Sequence, residues 1–379
     1  MGVIFYFIGF LLANRKFKKN NSFLNRETKF YNPVNLKILN LVIFISFFFS
    51  LLLLLNYIII HGTLYGNLNL LSSILSTSGY SRILYGLFST SAFETYALLS
   101  LLLYKVYHKK KYKLFTLLFI IISMFQGLVF GSKVSAIAPV LFLIISTFYI
   151  YKKIYLKYIL FLTPLAIILT YIIIKHIYII SGFNNILSLF GARATVVSIE
   201  PVYITLYKYV PYHGLLYGKT FLWEIIRIFN QITHHYNQPL FNEMIANIIT
   251  GLPLDRVSRI SAATKVFGVG YVNFGIIGAL IFSFMFGYFV QYFNLKLLTM
   301  RQVNIFLFII LENFYSIFFQ GVGGSGLIII SFESFILNIA PLLFLWFSIF
   351  FIVDLPLGLK HLKFKILNNV NKISYEQNS

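Results

Sequence analysis

Three side chains able to exchange a proton, His213, Glu200 and Glu224, share one stretch of chain with seven cations: Arg193, Lys208, Lys219, Arg227, Arg256, Arg259 and Lys265. An imidazole titrates near neutral pH and a carboxylate can accept a proton from a hydroxyl, so each of the three is a candidate general base. His213, beside the turn at Pro211, is preferred. The cations suit an anionic group, and Arg binds one better than Lys because its planar fork makes two parallel hydrogen bonds. Arg193, in FGARATVVSIEP, and the pair Arg256 and Arg259, three residues apart and able to share a helical face, are therefore favoured over Lys133, Lys219 and Arg227. Between Ser181 and Phe267 these seven cations face four acids, an excess that favours an anionic substrate. The competing explanation is that each cation pairs with Glu200, Asp255 or a lipid headgroup. His234 and His235 are adjacent, so they point apart on a helix, and no acid at a suitable spacing completes a metal site. Neither a metal nor a cofactor is expected.

Everything around that stretch is apolar. Hydrophobic residues make up 59% of the 379 and charged residues 11%. Repeated runs of roughly 17 to 25 apolar residues match the hydrocarbon thickness of a bilayer, which excludes a soluble core. About nine candidate spans follow, near residues 1–13, 39–60, 83–104, 114–130, 134–151, 158–179, 268–293, 303–320 and 335–354. The first is short enough to be a truncated or re-entrant segment. A cleaved signal peptide would carry its basic residues before the apolar run, and here they follow it. The expectation is an all-α, polytopic bundle. An N-terminal membrane part (1–180), a large, partly helical outer loop (181–267), C-terminal spans (268–354) and a tail (355–379) make it up. There is no cysteine.

The net charge of +21 sits in alternate loops. Arg15 to Lys37, Lys105 to Lys113, Lys152 to Lys157, Lys296 with Arg301, and Lys360 to Lys372 hold clusters of it, and the positive-inside rule makes those loops cytoplasmic. This placement beside anionic lipid argues against nucleic acid as a partner. It also puts the loops near 61–82, 131–133, 181–267 and 321–334 outside. Within the outer loop, Phe221 to Phe229 reads as a helix lying at the interface or against the bundle, with Glu224 and Arg227 as its charges. Turn signals bracket it at Pro211 to Gly214, Gln238 to Pro239 and Gly251 to Pro253, and two to four short helices are expected. Glu94 and Glu312 fall within apolar runs, where a carboxylate is costly. They could serve proton coupling, a polar cavity or a helix-to-helix lock. Glu333 ends the glycine-rich segment from Gly321, which reads as a flexible turn.

The stretch His213 to Gly287 contains HGLLYGKTFLWEIIRIF and, later, RVSRISAATKVFGVGYVNFGIIGALIFSFMFG. It resembles the bacterial oligosaccharide repeat-unit polymerases, the Wzy-type O-antigen and capsule polymerases. Gly218, Lys219 and Thr220 are similar to that family's turn before an apolar helix, and Tyr271, Asn273, Phe274, Gly275 and Gly278 to its Tyr-x-Asn-Phe-Gly-x-x-Gly span. Gly131, Ser132, Lys133 and Ser135 are similar to an outer turn that more often carries Arg. The segment Asn230 to His235 departs from an Ile-Pro-Arg-like stretch of the family. Glycines 275 and 278 are expected to allow close helix packing, and Asn273 to hydrogen-bond at the mouth of the bundle.

The resemblance implies glycosyl transfer outside the cytoplasm, at the plasma membrane. A growing glycan leaves its undecaprenyl diphosphate and joins the next lipid-linked repeat unit. It implies no nucleotide sugar or ATP. The implied partners are undecaprenyl-diphosphate-linked oligosaccharides and the bilayer, with a flippase and a chain-length regulator acting alongside. Such a reaction needs cations for the departing diphosphate, a base for the acceptor hydroxyl and a gap between helices for the lipid. A lipid-linked oligosaccharide carrier and an O-antigen ligase are the alternatives. Carriers commonly show paired repeats, of which none is visible here.

Overall fold

The computed structural model describes residues 2–17, 28–32, 36–61, 90–129, 133–153, 156–173, 200–233, 240–251 and 264–324, and residues 326, 328, 329, 332, 335, 336 and 339 beyond them. The described residues are almost all α-helical, the exception among them being a two-stranded ladder of three residues per strand. The helices are α1 (Gly2–Phe17), α2 (Leu36–His61), α3 (Thr90–Tyr107), α4 (Lys110–Val129), α5 (Lys133–Tyr151), α6 (Leu156–Ile173), α7 (Val210–His213), α8 (Lys219–Thr233), α9 (Phe241–Thr250), α10 (Lys265–Thr299) and α11 (Ile305–Gly324); α7 follows a π turn at Thr205–Tyr209. Strands β1 (Lys29–Tyr31) and β2 (Gln302–Asn304) pair in parallel. Among the described residues two helical stretches, Leu36–Asn56 and Lys265–Thr299, are long and apolar enough by length and composition to cross a membrane, the second being interrupted at Phe274 and Gly275.

Two cores hold the chain. The larger is built from α2 to α6, α11 and the end of α10, around Phe93, Tyr96, Phe119, Leu162 and Phe308. Some of the polar side chains buried there pair across helices, which offsets the cost of leaving a polar group unpaired in such surroundings, on the order of 2 to 7 kcal/mol. Thr95 Oγ1 donates to Asn313 Oδ1 at 2.9 Å and Ser146 Oγ to Glu312 Oε1 at 2.8 Å. A second chain of bonds runs from Tyr149 through Asn294 and Gln291 to Asn14 on α1. The smaller core gathers Ile204, Tyr209, Leu216, Phe241, Ile245, Ala246 and Val272.

α1 is longer than the sequence suggests, at 16 residues, or about 24 Å of helix. It runs alongside the second part of α10 in the same direction, Gly2 beside Ser283, Tyr6 beside Gly287 and Asn14 beside Gln291. A Cβ at Gly9 or Gly287 would strike the facing backbone, so the close approach depends on these small residues.

α10 departs most from the sequence reading of one continuous span over 268–293. Phe274 (φ −135°, ψ 19°) and Gly275 (φ 63°, ψ −154°) are non-helical, and the chain reverses there. Gly270 and Gly278 would stand about 12 Å apart in a straight helix, yet a Cβ on either would collide with the other's carbonyl. Phe267 and Ser283 likewise both border Gly2. α10 is thus a hairpin: a short arm, 265–273, folded back on a long arm, 276–299. Gly275 makes the reversal rather than packing two helices, because its left-handed φ strains any side chain. Gly278 packs as expected, but against its own short arm.

Four of the five basic clusters have neighbours that meet at one end of the molecule, the fifth lying outside the described residues. Lys29 N–H donates to Arg301 O at 2.8 Å and Thr28 Oγ1 to Met300 O at 3.0 Å, alongside the β1–β2 ladder. Asn32 Nδ2 donates to Tyr107 OH, Lys111 Nζ and Tyr112 OH to Asn40 Oδ1, and Lys152 Nζ to Leu297 O. Four segments far apart in sequence, each rich in Lys or Arg, are therefore joined.

Candidate functional site

The tip of the α10 hairpin, at the other end of the long arm, receives the turn before α8. A helix that stops leaves its last carbonyls unsatisfied, and here the turn supplies donors: Leu216 N–H to Val272 O at 2.8 Å and Tyr217 N–H to Asn273 O at 3.0 Å. The Asn273 side chain completes the joint. Its Oδ1 accepts the Gly218 N–H at 2.9 Å, and its Nδ2 donates to Thr220 Oγ1 at 2.6 Å and to Val269 O at 2.8 Å. One buried carboxamide thus binds the Gly218–Lys219–Thr220 turn to the Tyr271–Gly278 segment. Gly218 needs its flexibility at φ 89°, and Lys219 begins α8 with its side chain exposed. Phe221 and Phe274 both stack on Phe282, so α8 lies along the start of the long arm.

Beyond Lys219, the charges of α8, Glu224 and Arg227, turn toward protein. Glu224 is 1% exposed, and its Oε2 accepts the Ile329 N–H at 2.7 Å, tying α8 to the chain after the glycine-rich segment. Gly326, at φ 79°, sits so close to Lys265 O that a Cβ would collide with it. Arg227 makes a fork with Glu243 on α9, both bonds at 3.1 Å, and Glu243 also accepts the Leu240 N–H at 2.8 Å. Thr264 Oγ1 donates to Asn242 Oδ1 at 3.0 Å and so joins α9 to the foot of the short arm.

His213 is exposed at the end of α7, its ring stacked on Tyr209 at 4.7 Å. Burial against Phe241 raises the Tyr209 phenol above its usual range. Glu200 is half-buried at the start of the helical run 200–213. Lys133 is the first residue of α5. Arg193, Arg256 and Arg259 lie outside the described residues, as do His234, His235, Gly131 and Ser132. Glu312 is fully buried, and its Oε2 has no hydrogen-bond partner among the described residues. Glu94 is half-buried and adjoins Thr95, whose bond to Asn313 brings α3 and α11 together beside the two carboxyls. Among the described residues no three His, Asp or Glu gather to hold a metal ion.

The geometry thus joins Gly218, Lys219, Thr220 and Asn273 and leaves Lys219 and His213 accessible. Arg227 and Glu224 are engaged in bonds that position α8. Sequence reasoning missed Glu243, Asn242 and Thr264. Glu243 had a signal, since a Glu three residues into a helix commonly accepts a bond from the residue before it. Comparison with family models, with curated proteins and with solved structures finds no match.

Proposed function

We propose that the chain is a membrane-embedded polymerase that joins undecaprenyl-diphosphate-linked oligosaccharide repeat units on the outer face of the plasma membrane. The observation that carries this reading is the Asn273 joint. The two short motifs on which the resemblance to the Wzy-type polymerases rests lie 55 residues apart in the chain, yet one buried side chain binds them together. A turn held this firmly next to an exposed Lys219 suits an anionic headgroup arriving at the end of a bundle, where hydrogen-bond donors and a cation offset developing charge on a departing diphosphate. His213 is the base in this reading, being an imidazole that solvent and substrate can reach. The meeting of the basic loops at one end supports a cytoplasmic face there, with the hairpin tip and α7 to α9 outside.

Glu312, buried and bonded to Ser146, favours a second reading, a lipid-linked oligosaccharide carrier. Deleting the gene and sizing the surface glycan on a gel separates the two. A polymerase mutant displays single repeat units, because synthesis and flipping lie upstream. A carrier mutant displays none and traps repeat units inside. A reporter that is active only in the cytoplasm, inserted near Asn237, is expected to be silent, and activity there overturns the orientation.

A further inference from the structure

The helical run 200–213 buries one face and exposes the other. Ile204, Thr205 and Tyr209 turn inward to the smaller core. Outward stand Tyr203 and Tyr207, 52% and 65% exposed, with ring centroids 4.8 Å apart and planes tilted by 33°. Tyr212 and, past the turn, Tyr217 are 82% and 75% exposed. Lys208 and Lys219 are exposed beside them in sequence. Four tyrosines thus stand in the open within fifteen positions. Residues Thr205–Tyr209 form a π turn, an interruption of the helical repeat that recurs at functional sites. Tyr217 sits at φ 45°, a conformation that costs a non-glycine residue energy and is held here by the bond from its N–H to Asn273 O.

We propose that this tyrosine face, with Lys208 and Lys219, binds the oligosaccharide diphosphate headgroup of the lipid-linked substrate. The proposal rests on the polymerase reading above. A pyranose presents a face of C–H groups that packs on an aromatic ring while its hydroxyls reach the phenol oxygens and water. Tyrosine offers that surface with only two rotatable angles to freeze. The ammonium groups supply charge opposite to that of the diphosphate. Tyrosine also gathers at membrane interfaces, but a fluid headgroup layer gains nothing from the Tyr217 ring being fixed on a strained backbone, whereas a ligand of defined shape does.

The test uses membrane vesicles carrying the full chain and, as probe, lipid-linked repeat units extracted from the deletion strain. In the double variant Tyr203→Ala, Tyr207→Ala, KM is expected to rise about ten-fold, with kcat within about two-fold of the parent. Tyr203→Phe with Tyr207→Phe keeps the rings and recovers most of the loss. Should the alanine pair fail to fold, Tyr212→Ala, at a position 82% exposed, carries the same expectation. A parental KM in the alanine variants overturns the face as a glycan site. So does a parental KM with less protein retained in the membrane fraction, which makes the tyrosines an interfacial anchor. A deletion strain whose surface glycan is unchanged overturns the polymerase reading itself.

Discussion

At the basic end of the bundle main-chain bonds, a short parallel ladder and the Lys29 to Arg301 bond, share the work with side-chain bonds from Thr28, Asn32, Lys111, Tyr112 and Lys152. At the hairpin end two main-chain bonds, Leu216 to Val272 and Tyr217 to Asn273, are completed by joints that depend on particular side chains. Asn273, Glu224, and the Arg227 and Glu243 pair each bridge elements that the sequence separates. Main-chain bonds tolerate most substitutions, since every residue except proline carries the same donor and acceptor. A carboxamide or carboxylate does not. The contrast teaches that one end has a main-chain ladder to spread its load, while the other rests on buried side chains whose identity matters.

Breaking the buried ion pair gives the largest expected effect. Arg227→Ala leaves Glu243 charged and poorly solvated, a loss of about 3 to 5 kcal/mol that thermal unfolding in detergent reads out. If Arg227 only positions α8, the double variant Arg227→Met, Glu243→Gln recovers much of both stability and polymer length. A variant that regains stability but not polymer sharpens the contrast by returning Arg227 to the substrate. Asn273→Ala comes next, removing three hydrogen bonds at about 1 kcal/mol each, and polymer is expected to disappear from the gel at normal membrane abundance. Gly275→Ala forces a side chain into a left-handed turn at about 1 to 2 kcal/mol, and lowers the melting temperature without touching a charge. At the other end Thr28→Val loses one bond, about 1 kcal/mol, with polymer length unchanged. Loss of polymer there breaks the comparison.

The smallest effect is electrostatic. Burial lowers the Lys152 ammonium to about 8. Between that value and its ordinary 10.5 the unfolded chain binds more protons than the folded one, so stability rises as pH climbs through this window. Comparing melting temperatures at pH 7 and 9 in the parent and in Lys152→Met checks this, the variant lacking the rise.

The all-α character was legible because long apolar runs admit few other structures, and α8 was legible from the placement of Glu224 and Arg227 among aliphatics. The hairpin was not. Val266 to Phe293 is apolar almost without interruption, and hydropathy records composition rather than direction, so a reversal at Phe274 and Gly275 leaves no trace in it. Gly275 was noticed but read as a packing residue. Its neighbour Gly270 made the fold-back possible and passed unremarked. The Arg227 and Glu243 pair escaped for a different reason: it joins two helices whose relative placement depends on Tyr209, Phe241 and Val272 meeting in a core no local pattern reveals.

The hairpin's fastenings also fix an order of events during synthesis. Residues 216–220 leave the ribosome before the short arm that they cap, so the receiving turn already exists when Val272 and Asn273 arrive, 55 residues after Gly218 in the case of Asn273. The brace from Ile329 to Glu224 spans 105 residues and can close only when most of the chain has been made. Until then the Glu224 carboxylate lacks the donor that accompanies it in its buried place. A nascent chain halted before Ile329 would therefore hold α8 by the Asn273 joint and the Arg227 to Glu243 pair but without this last brace, which arrives as the final glycine-rich segment is delivered.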